Sequence, residues 1–148
     1  MTLVLAPVGG RVVAAGEIGD PVFAQEMVGG CLGIVPRAEV GVAVAPVTGT
    51  LVKAMPHAYI VTDEQGRAVL VHLGIGTVRL EGEHFEVLIE ENATVQAGEE
   101  ITRWDVPAVA ARGIDTTVVV VRLDSAPGSV ASEQVGAEVE PGIPLFGL

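Results

Sequence analysis

The sequence predicts an all-β protein, an antiparallel β-sandwich or barrel with a duplicated motif and short helical segments. Its 148 residues suit one domain and include 19 glycines and 9 prolines, which favour turns. Hydrophobic residues make up 49% of the chain and aromatic residues only 3%. The core must therefore be built from valine, isoleucine, leucine and alanine, of which valine and isoleucine favour strands. Short apolar runs also follow one another at close spacing.

One motif occurs twice near the start of the chain. "APVGGRVV" begins at Ala6 and "APVTGTLV" begins at Ala45, and the two share the pattern A-P-V-x-G-x-x-V. In each copy the proline is predicted to open a strand and the glycine to turn it. Two copies indicate a pair of related β-units that pack together. They argue against a solenoid, which needs more repeats.

The rest of the chain is mostly short strands. The predicted strands are residues 11–15, 32–35, 42–45, 50–54, 58–62, 68–73, 85–90, 100–104, 117–123 and 144–147. "TDEQGR", residues 62–67, is predicted to be a polar hairpin turn between two of them. "ENATVQAGEEI", residues 91–101, is predicted to end one strand, turn at Gly98 and begin another.

The sequence predicts only one clear helix, over residues 106–113. Asp105 can cap it, Pro107 suits its first turn, and Gly113 can end it. Residues 21–30 are predicted to add at most one further turn, and residues 124–136 to be a loop or a weak helix.

Charge and cysteine content exclude several classes of function. The net charge is −11 with only 8 lysines and arginines, which argues against binding to nucleic acid or to an anionic membrane. A single cysteine, Cys31, excludes an internal disulfide and favours a reduced compartment. Because the N-terminus lacks a basic signal region and no apolar run reaches the length of a span, we expect a cytoplasmic protein.

Two of the three histidines are predicted to face each other. In "AVLVHLGIG" the alternation places Ala68, Leu70 and His72 on one face of a strand. His57 comes directly before the predicted strand 58–62, and a turn at Gln65 brings it opposite residue 72 or 73. Side chains opposite each other on antiparallel strands come within contact distance.

Such a histidine pair suits phosphoryl transfer. A neutral imidazole is a nucleophile, and a second one can contact the phosphoryl oxygens or fix the tautomer of the first. The glycines at 74 and 76 let backbone amides approach a phosphate. Two alternatives stay open: a hydrogen-bonded core histidine, and a zinc site completed by a carboxylate or by His84.

Spaced motifs across residues 3–123 resemble the glucose-type enzyme IIA of the bacterial phosphoenolpyruvate:sugar phosphotransferase system. "VLVHLGIGTVRLEGEHF" is similar to the active-site pattern of that family, and "IGDPVFAQEMVGGCLGIVP" to its D-P-V-F segment. "VAPVTGTLV", "MPHAYIV" and "ITRWDVPAVAARG" resemble further family segments in the same order. The resemblance implies an antiparallel β-sandwich with a duplicated motif, and one enzyme IIA domain over residues 1–148 whose C-terminal segment, 124–148, holds a final strand.

The resemblance also implies roles for individual residues. His72 matches the histidine that phospho-HPr phosphorylates, and His57 matches a second histidine that contacts the phosphate. The phosphoryl group then passes to an enzyme IIB domain for sugar uptake, and some relatives also regulate permeases or kinases. No cofactor is required, although His57 and His72 can serve as zinc ligands at a partner interface. The partner-binding face is expected to comprise Val22, Phe23, Tyr59, Leu70, Gly74 and Val78.

The sequence departs from the family pattern in three places. Gly76 stands where the family usually has an aspartate that helps to receive the donor, so we expect slower phosphorylation. The threonine that orients the active histidine has no obvious counterpart, and the segment between Thr50 and His57 is short. His84 replaces a glycine and is expected to be a surface residue.

Other functions fit the residues less well. Biotin and lipoyl carriers need a lysine in a hairpin turn, whereas the only lysine here, Lys53, lies within a predicted strand. Related zinc peptidases need an H-x-H pair, which "HLG" lacks. A non-catalytic regulatory domain, bridged to its partner by zinc, remains the alternative.

Overall fold

The computed structural model describes residues 2–148 and confirms a mostly β protein with short helices. The strands are β1 (Leu3–Leu5), β2 (Gly10–Ala14), β3 (Gly29–Pro36), β4 (Val40–Val44), β5 (Gly49–Met55), β6 (Ala58–Thr62), β7 (Ala68–Leu73), β8 (Phe85–Val87), β9 (Thr94–Val95), β10 (Glu100–Asp105), β11 (Val118–Leu123), β12 (Glu138–Val139) and β13 (Pro144–Gly147). The helices are α1 (Pro21–Ala24) and α2 (Val106–Ala111), and 3-10 turns cover Ala15–Glu17 and Thr77–Leu80. Within the described range no helix is long and apolar enough to cross a membrane.

The strands pair into three antiparallel sheets. The largest has eight strands in the order β12-β2-β3-β11-β7-β6-β5-β9, the second has the order β4-β10-β8, and β1 pairs with β13. The main core joins side chains of the large sheet, such as Val71 and Val120, to Ile101 and Trp104 of the second sheet. The two larger sheets therefore enclose one core between them.

Strand β11 separates this core from a second, smaller cluster. Its four consecutive valines alternate in direction, so that Val118 and Val120 enter the main core while Val119 and Val121 enter the second cluster. The second cluster lies on the outer face of the large sheet and also contains Ile18, Phe23 and Cys31. The outer face of the sheet thus carries an apolar cluster next to β7.

The two copies of the duplicated motif have the same structure. In both, the A-P-V residues are buried and the strand begins at the glycine, Gly10 in β2 and Gly49 in β5. A Cβ atom on Gly10 would lie 2.0 Å from the carbonyl oxygen of Val35, and one on Gly49 would lie 2.1 Å from that of Thr62. The prediction that the proline opens the strand was wrong, because in both copies the strand begins three residues later, at the glycine.

Most predicted elements are present, with shifted ends. The predicted helix 106–113 ends earlier, as α2, and the side chain of Asp105 caps it by accepting a hydrogen bond from the amide of Ala108 at 3.0 Å. The region predicted as one turn is α1, capped by Asp20. Residues 124–136 form a loop without a helix, and the predicted strand 85–90 stops at Val87.

The composition predicted a purely aliphatic core, but the core also contains aromatic side chains. Trp104 and Tyr59 are the largest fully buried side chains among the residues that the structure covers. The ring of Trp104 stacks on that of Phe85 with a centroid distance of 5.7 Å. The few aromatic residues of this chain are therefore concentrated where they bury the most apolar area.

Thr102 in β10 carries a buried hydroxyl without a hydrogen-bond partner, and no other buried side-chain polar atom in residues 2–148 lacks one. Because valine has nearly the same shape, we expect Thr102→Val to raise the free energy of unfolding by about 1 kcal/mol, measured by urea denaturation. The matched control is Thr77→Val, since the hydroxyl of Thr77 is equally buried but donates to the carbonyl of Leu73. That variant is expected to lose stability, and a loss in both would contradict this explanation.

Candidate functional site

The hairpin of β6 and β7 brings His57 and His72 together. Ala58 pairs with His72, and the amide of Leu73 donates to the carbonyl of His57 at 2.7 Å. His57 therefore lies opposite Leu73, in the register predicted from the turn. The two imidazole rings meet edge to face, with a centroid distance of 5.2 Å and an interplanar angle of 74°.

The hydrogen bond of His72 fixes its tautomer. Its Nδ1 lies 2.6 Å from the carbonyl oxygen of Gly74. Since a carbonyl can only accept, Nδ1 must carry the proton in the neutral ring. The lone pair of the imidazole is therefore on Nε2, which is the atom available as a nucleophile or as a metal ligand.

Gly74 can hold its carbonyl there only as a glycine. Its φ is +87°, and a Cβ atom would lie 2.5 Å from the methyl group of Thr77 and 3.2 Å from the carbonyl oxygen of Asp115. The amide of Ile75 donates to that carbonyl of Asp115 at 2.8 Å. The turn after β7 is consequently held in place at Gly74 by close packing and at Ile75 by a hydrogen bond.

These bonds limit which amides can meet a phosphate. The amide of Leu73 donates to His57 and that of Ile75 to Asp115, so neither is available. The sequence had predicted that backbone amides near Gly74 and Gly76 contact a phosphate, without saying which amides. The remaining candidates are the amides of Gly74, Gly76 and Thr77.

His72 lies against the second apolar cluster. The ring of Phe23 packs on the imidazole with a centroid distance of 5.4 Å. Leu70 and Ile75 are half-buried beside this cluster. The thiol of Cys31 is inside the cluster, where it donates to the carbonyl of Phe23 and burial raises its pKa to about 12. The imidazole thus has an apolar surrounding that restricts access of water.

Burial keeps both histidines neutral. It lowers the pKa of His72, although the hydrogen bond to Gly74 and the charge of Asp20 act in the opposite direction. The pKa of His57 is also lowered, by burial and then by the neighbouring His72. At neutral pH the pair therefore consists of two uncharged imidazoles.

The predicted partner face is only partly at the surface. Val22 and Val78 are exposed by 41% and 62%, and Leu70 by less. Phe23 is buried, with 8% exposed, and Gly74 is buried in its turn.

Tyr59 was wrongly assigned to the partner face. It is fully buried in the main core, and its hydroxyl donates to the carbonyl of Val44 at 2.6 Å. The physical reason is the register: Tyr59 pairs with Val71, which points into the core, on the opposite side of the sheet from His72. The alternation of residues in β6 and β7, taken together, could have predicted that Tyr59 faces the core.

Gly76 and the side chain of Arg79 are in contact. Gly76 has φ +75°, and the three atoms nearest to a Cβ placed on it would belong to the guanidinium of Arg79, at 3.4 to 3.7 Å. The guanidinium Nε also donates to the carbonyl of Gly76 at 3.2 Å. An aspartate at position 76 would therefore meet a cation of the same chain. The sequence analysis did not single out Arg79 or the buried Thr77.

The structure provides few ligands for a metal. Across residues 2–148 no three side chains of histidine, cysteine, aspartate or glutamate are arranged to hold an ion. His84 lies in a cavity with Phe85 and Trp104 of the second sheet, 3.3 Å from the carboxylate of Glu83. It is half-buried rather than a free surface residue.

Most of this chain is similar to proteins that are already known. The family model described as phosphoenolpyruvate-dependent sugar phosphotransferase system, EIIA 1, matches residues 2–127. A glucose-specific EIIA component from Staphylococcus epidermidis is 35% identical over 141 residues, which are 93% of this chain and 83% of that protein. Among solved structures, the glucose permease IIA from Mycoplasma capricolum has a TM-score of 0.84 and 28% identity, over 99% of this chain and 94% of that one.

Longer relatives match as well. The glucose-specific EIICBA component of Streptococcus pneumoniae is 41% identical over 131 residues, which are 86% of this chain and 18% of that protein. The N-acetylglucosamine-specific EIICBA component of Escherichia coli is 35% identical over 146 residues, 96% of this chain and 22% of that protein. The chain spans about a fifth of the length of these two relatives.

Proposed function

Because this chain belongs to the EIIA 1 family of the phosphoenolpyruvate-dependent sugar phosphotransferase system, a family of phosphoryl carriers, we propose that His72 is the residue that carries the phosphoryl group. The observation that carries this proposal is the 2.6 Å hydrogen bond from Nδ1 of His72 to the carbonyl of Gly74. It leaves Nε2 with the lone pair that a nucleophile needs. Residues 1–148 then act as one EIIA domain in the cytoplasm, between HPr as donor and an enzyme IIB domain as acceptor, in sugar uptake.

In the proposed reaction, Nε2 of His72 attacks the phosphorus of the phosphohistidine of HPr in line. The bond from phosphorus to the new nitrogen forms as the bond to the donor nitrogen breaks, and the donor nitrogen recovers its electron pair. Positive charge that develops on the ring of His72 is stabilised through Nδ1–H and the Gly74 carbonyl. In the transfer to IIB, His72 is the leaving group. The bond from phosphorus to the nucleophile of IIB forms as the bond to Nε2 breaks, and Nε2 recovers its electron pair.

The surroundings of His72 support this chemistry. The imidazole rings of His57 and His72 meet edge to face at a centroid distance of 5.2 Å. An N–H of His57 can therefore donate to phosphoryl oxygens on His72, which carry about −1.5 to −2 charges. Phe23 and Leu70 restrict water around a phosphoramidate that water would hydrolyse. Exposed Val22 and Val78 supply apolar area to dock HPr and IIB in turn.

Incubation of the chain with phosphoenolpyruvate, enzyme I and HPr tests the proposal. We expect an acid-labile, base-stable phosphate on the chain, mapped to His72 by mass spectrometry, and no label when HPr is omitted. An unlabelled chain beside a labelled HPr would contradict the proposed function.

The proton affinity of His72 should set the pH dependence of labelling. Because burial lowers its pKa, despite the opposing Gly74 bond and Asp20, Nε2 keeps its lone pair at neutral pH. Protonation removes that lone pair as the pH falls, with a midpoint below about 6.5, the ordinary value. We expect the initial rate of labelling to be level above pH 7 and to fall in acid, and NMR titration of His72 to give the same midpoint. A midpoint above that value would contradict the role of burial.

A further inference from the structure

We infer that Thr77 is a positioning residue, whose hydroxyl holds the Gly74 carbonyl in place and thereby keeps His72 in its nucleophilic tautomer. The inference rests on the proposed function of His72. Thr77 begins the 3-10 turn after β7 and is 1% exposed. Its Oγ1 donates across the turn to the carbonyl of Leu73 at 2.8 Å.

Two successive peptide groups determine where the Gly74 carbonyl points. The first joins Leu73 to Gly74, and its carbonyl oxygen accepts from Thr77. The second joins Gly74 to Ile75, and its N–H donates to the carbonyl of Asp115 at 2.8 Å. A trans peptide group points its N–H and C=O in opposite directions, so the bond to Asp115 turns the Gly74 carbonyl away from Asp115 and toward Nδ1 of His72.

Gly74 lies between these two peptide groups and has no side chain to restrict it. Glycine occupies many backbone conformations, so its φ of +87° has to be held from outside. The hydroxyl of Thr77 fixes the peptide before Gly74, and the methyl group of Thr77 fills the space that a Cβ would need, at 2.5 Å. Thr77 therefore restrains the glycine by one hydrogen bond and one packing contact.

Loss of the hydroxyl is expected to affect His72 in two ways. The buried Leu73 carbonyl would lose its partner, and the turn would relax to satisfy it. Once the Gly74 carbonyl moves, the Nδ1–H and Nε2–H tautomers of His72 become similar in free energy. Fewer molecules then present the Nε2 lone pair, and the pKa of His72 falls further because the Gly74 bond raises it.

The test compares Thr77→Val, which keeps the shape, with Thr77→Ser, which keeps the hydroxyl. The ring ¹⁵N chemical shifts of His72 report the tautomer in the whole chain. We expect protonated Nδ1 in the wild type and in the serine variant, and a mixture of tautomers in the valine variant. Labelling by phospho-HPr should slow about tenfold in the valine variant, as expected for a misplaced reacting group, and little in the serine variant.

A purely structural role would lower the melting temperature without changing the tautomer. A folded valine variant with the wild-type tautomer and rate would overturn the inference, and so would a serine variant that behaves like valine. If the valine variant does not fold, Thr77→Cys, with a weaker donor, must shift the tautomer in the same direction by less, and no shift overturns the inference. Because the tautomer is measured without phosphate, an unlabelled wild type would refute the proposed function alone.

Discussion

His72→Ala is expected to abolish phosphorylation of the chain completely. The substitution removes the only nitrogen that the turn at Gly74 prepares as a nucleophile. His57 cannot replace it, because His57 lies just before β6 and its ring does not share the bond to Gly74. The measurement is transfer of radioactive phosphate from phosphoenolpyruvate through enzyme I and HPr, followed by separation under alkaline conditions.

His84→Ala is the matched control for this experiment. His84 belongs to the second sheet, next to Phe85, and contacts Glu83 rather than the histidine pair. We expect this variant to be labelled like the wild type. Circular dichroism should show that both variants fold, since His72 and His84 are each only half-buried. Label retained on a folded His72→Ala chain would refute the assignment of the carrier residue.

His57→Ala is expected to separate the two transfer steps. The Nδ1 bond from His72 to Gly74 does not involve the His57 side chain, so the nucleophile stays intact and HPr should still label the chain. The lost ring is the one that can contact the phosphoryl oxygens. We expect transfer to the IIB domain to slow by about 10²-fold or more, the range typical of a positioned acid–base group.

Single-turnover transfer from the isolated phosphorylated chain to IIB measures this second step. A His57→Gln variant provides the comparison, because an amide can still donate a hydrogen bond to phosphate. We expect the glutamine variant to transfer faster than the alanine variant. If His57→Ala cannot be labelled at all, the division of roles between the two histidines is wrong.

The histidine pair was predictable because its determinants are local. β6 and β7 are joined by a short polar turn in which the carboxylate of Asp63 accepts from the amides of Gln65 and Arg67. This turn fixes the register, and the alternation of β7 fixes the face on which His72 lies. The family motifs then assigned its chemistry.

Features that depend on distant contacts were missed. The strands β1, β9 and β12 are too short to show an alternation, and each forms only because a partner strand lies beside it. Tyr59 was misplaced because its role was inferred from the family resemblance alone, whereas the pairing with Val71 shows that it faces the core. Thr77 gave no signal, since its role depends on a backbone carbonyl of Leu73 that the sequence does not place.

The site of phosphate attachment tests the central claim most directly. The chain, labelled with ¹⁵N in its histidines, is phosphorylated through HPr, and the ³¹P–¹⁵N coupling identifies the nitrogen that bears phosphorus. The structure predicts phosphorus on Nε2 of His72, with the proton retained on Nδ1 against the Gly74 carbonyl. Phosphorus on Nδ1 of His72, or on His57, would contradict the account.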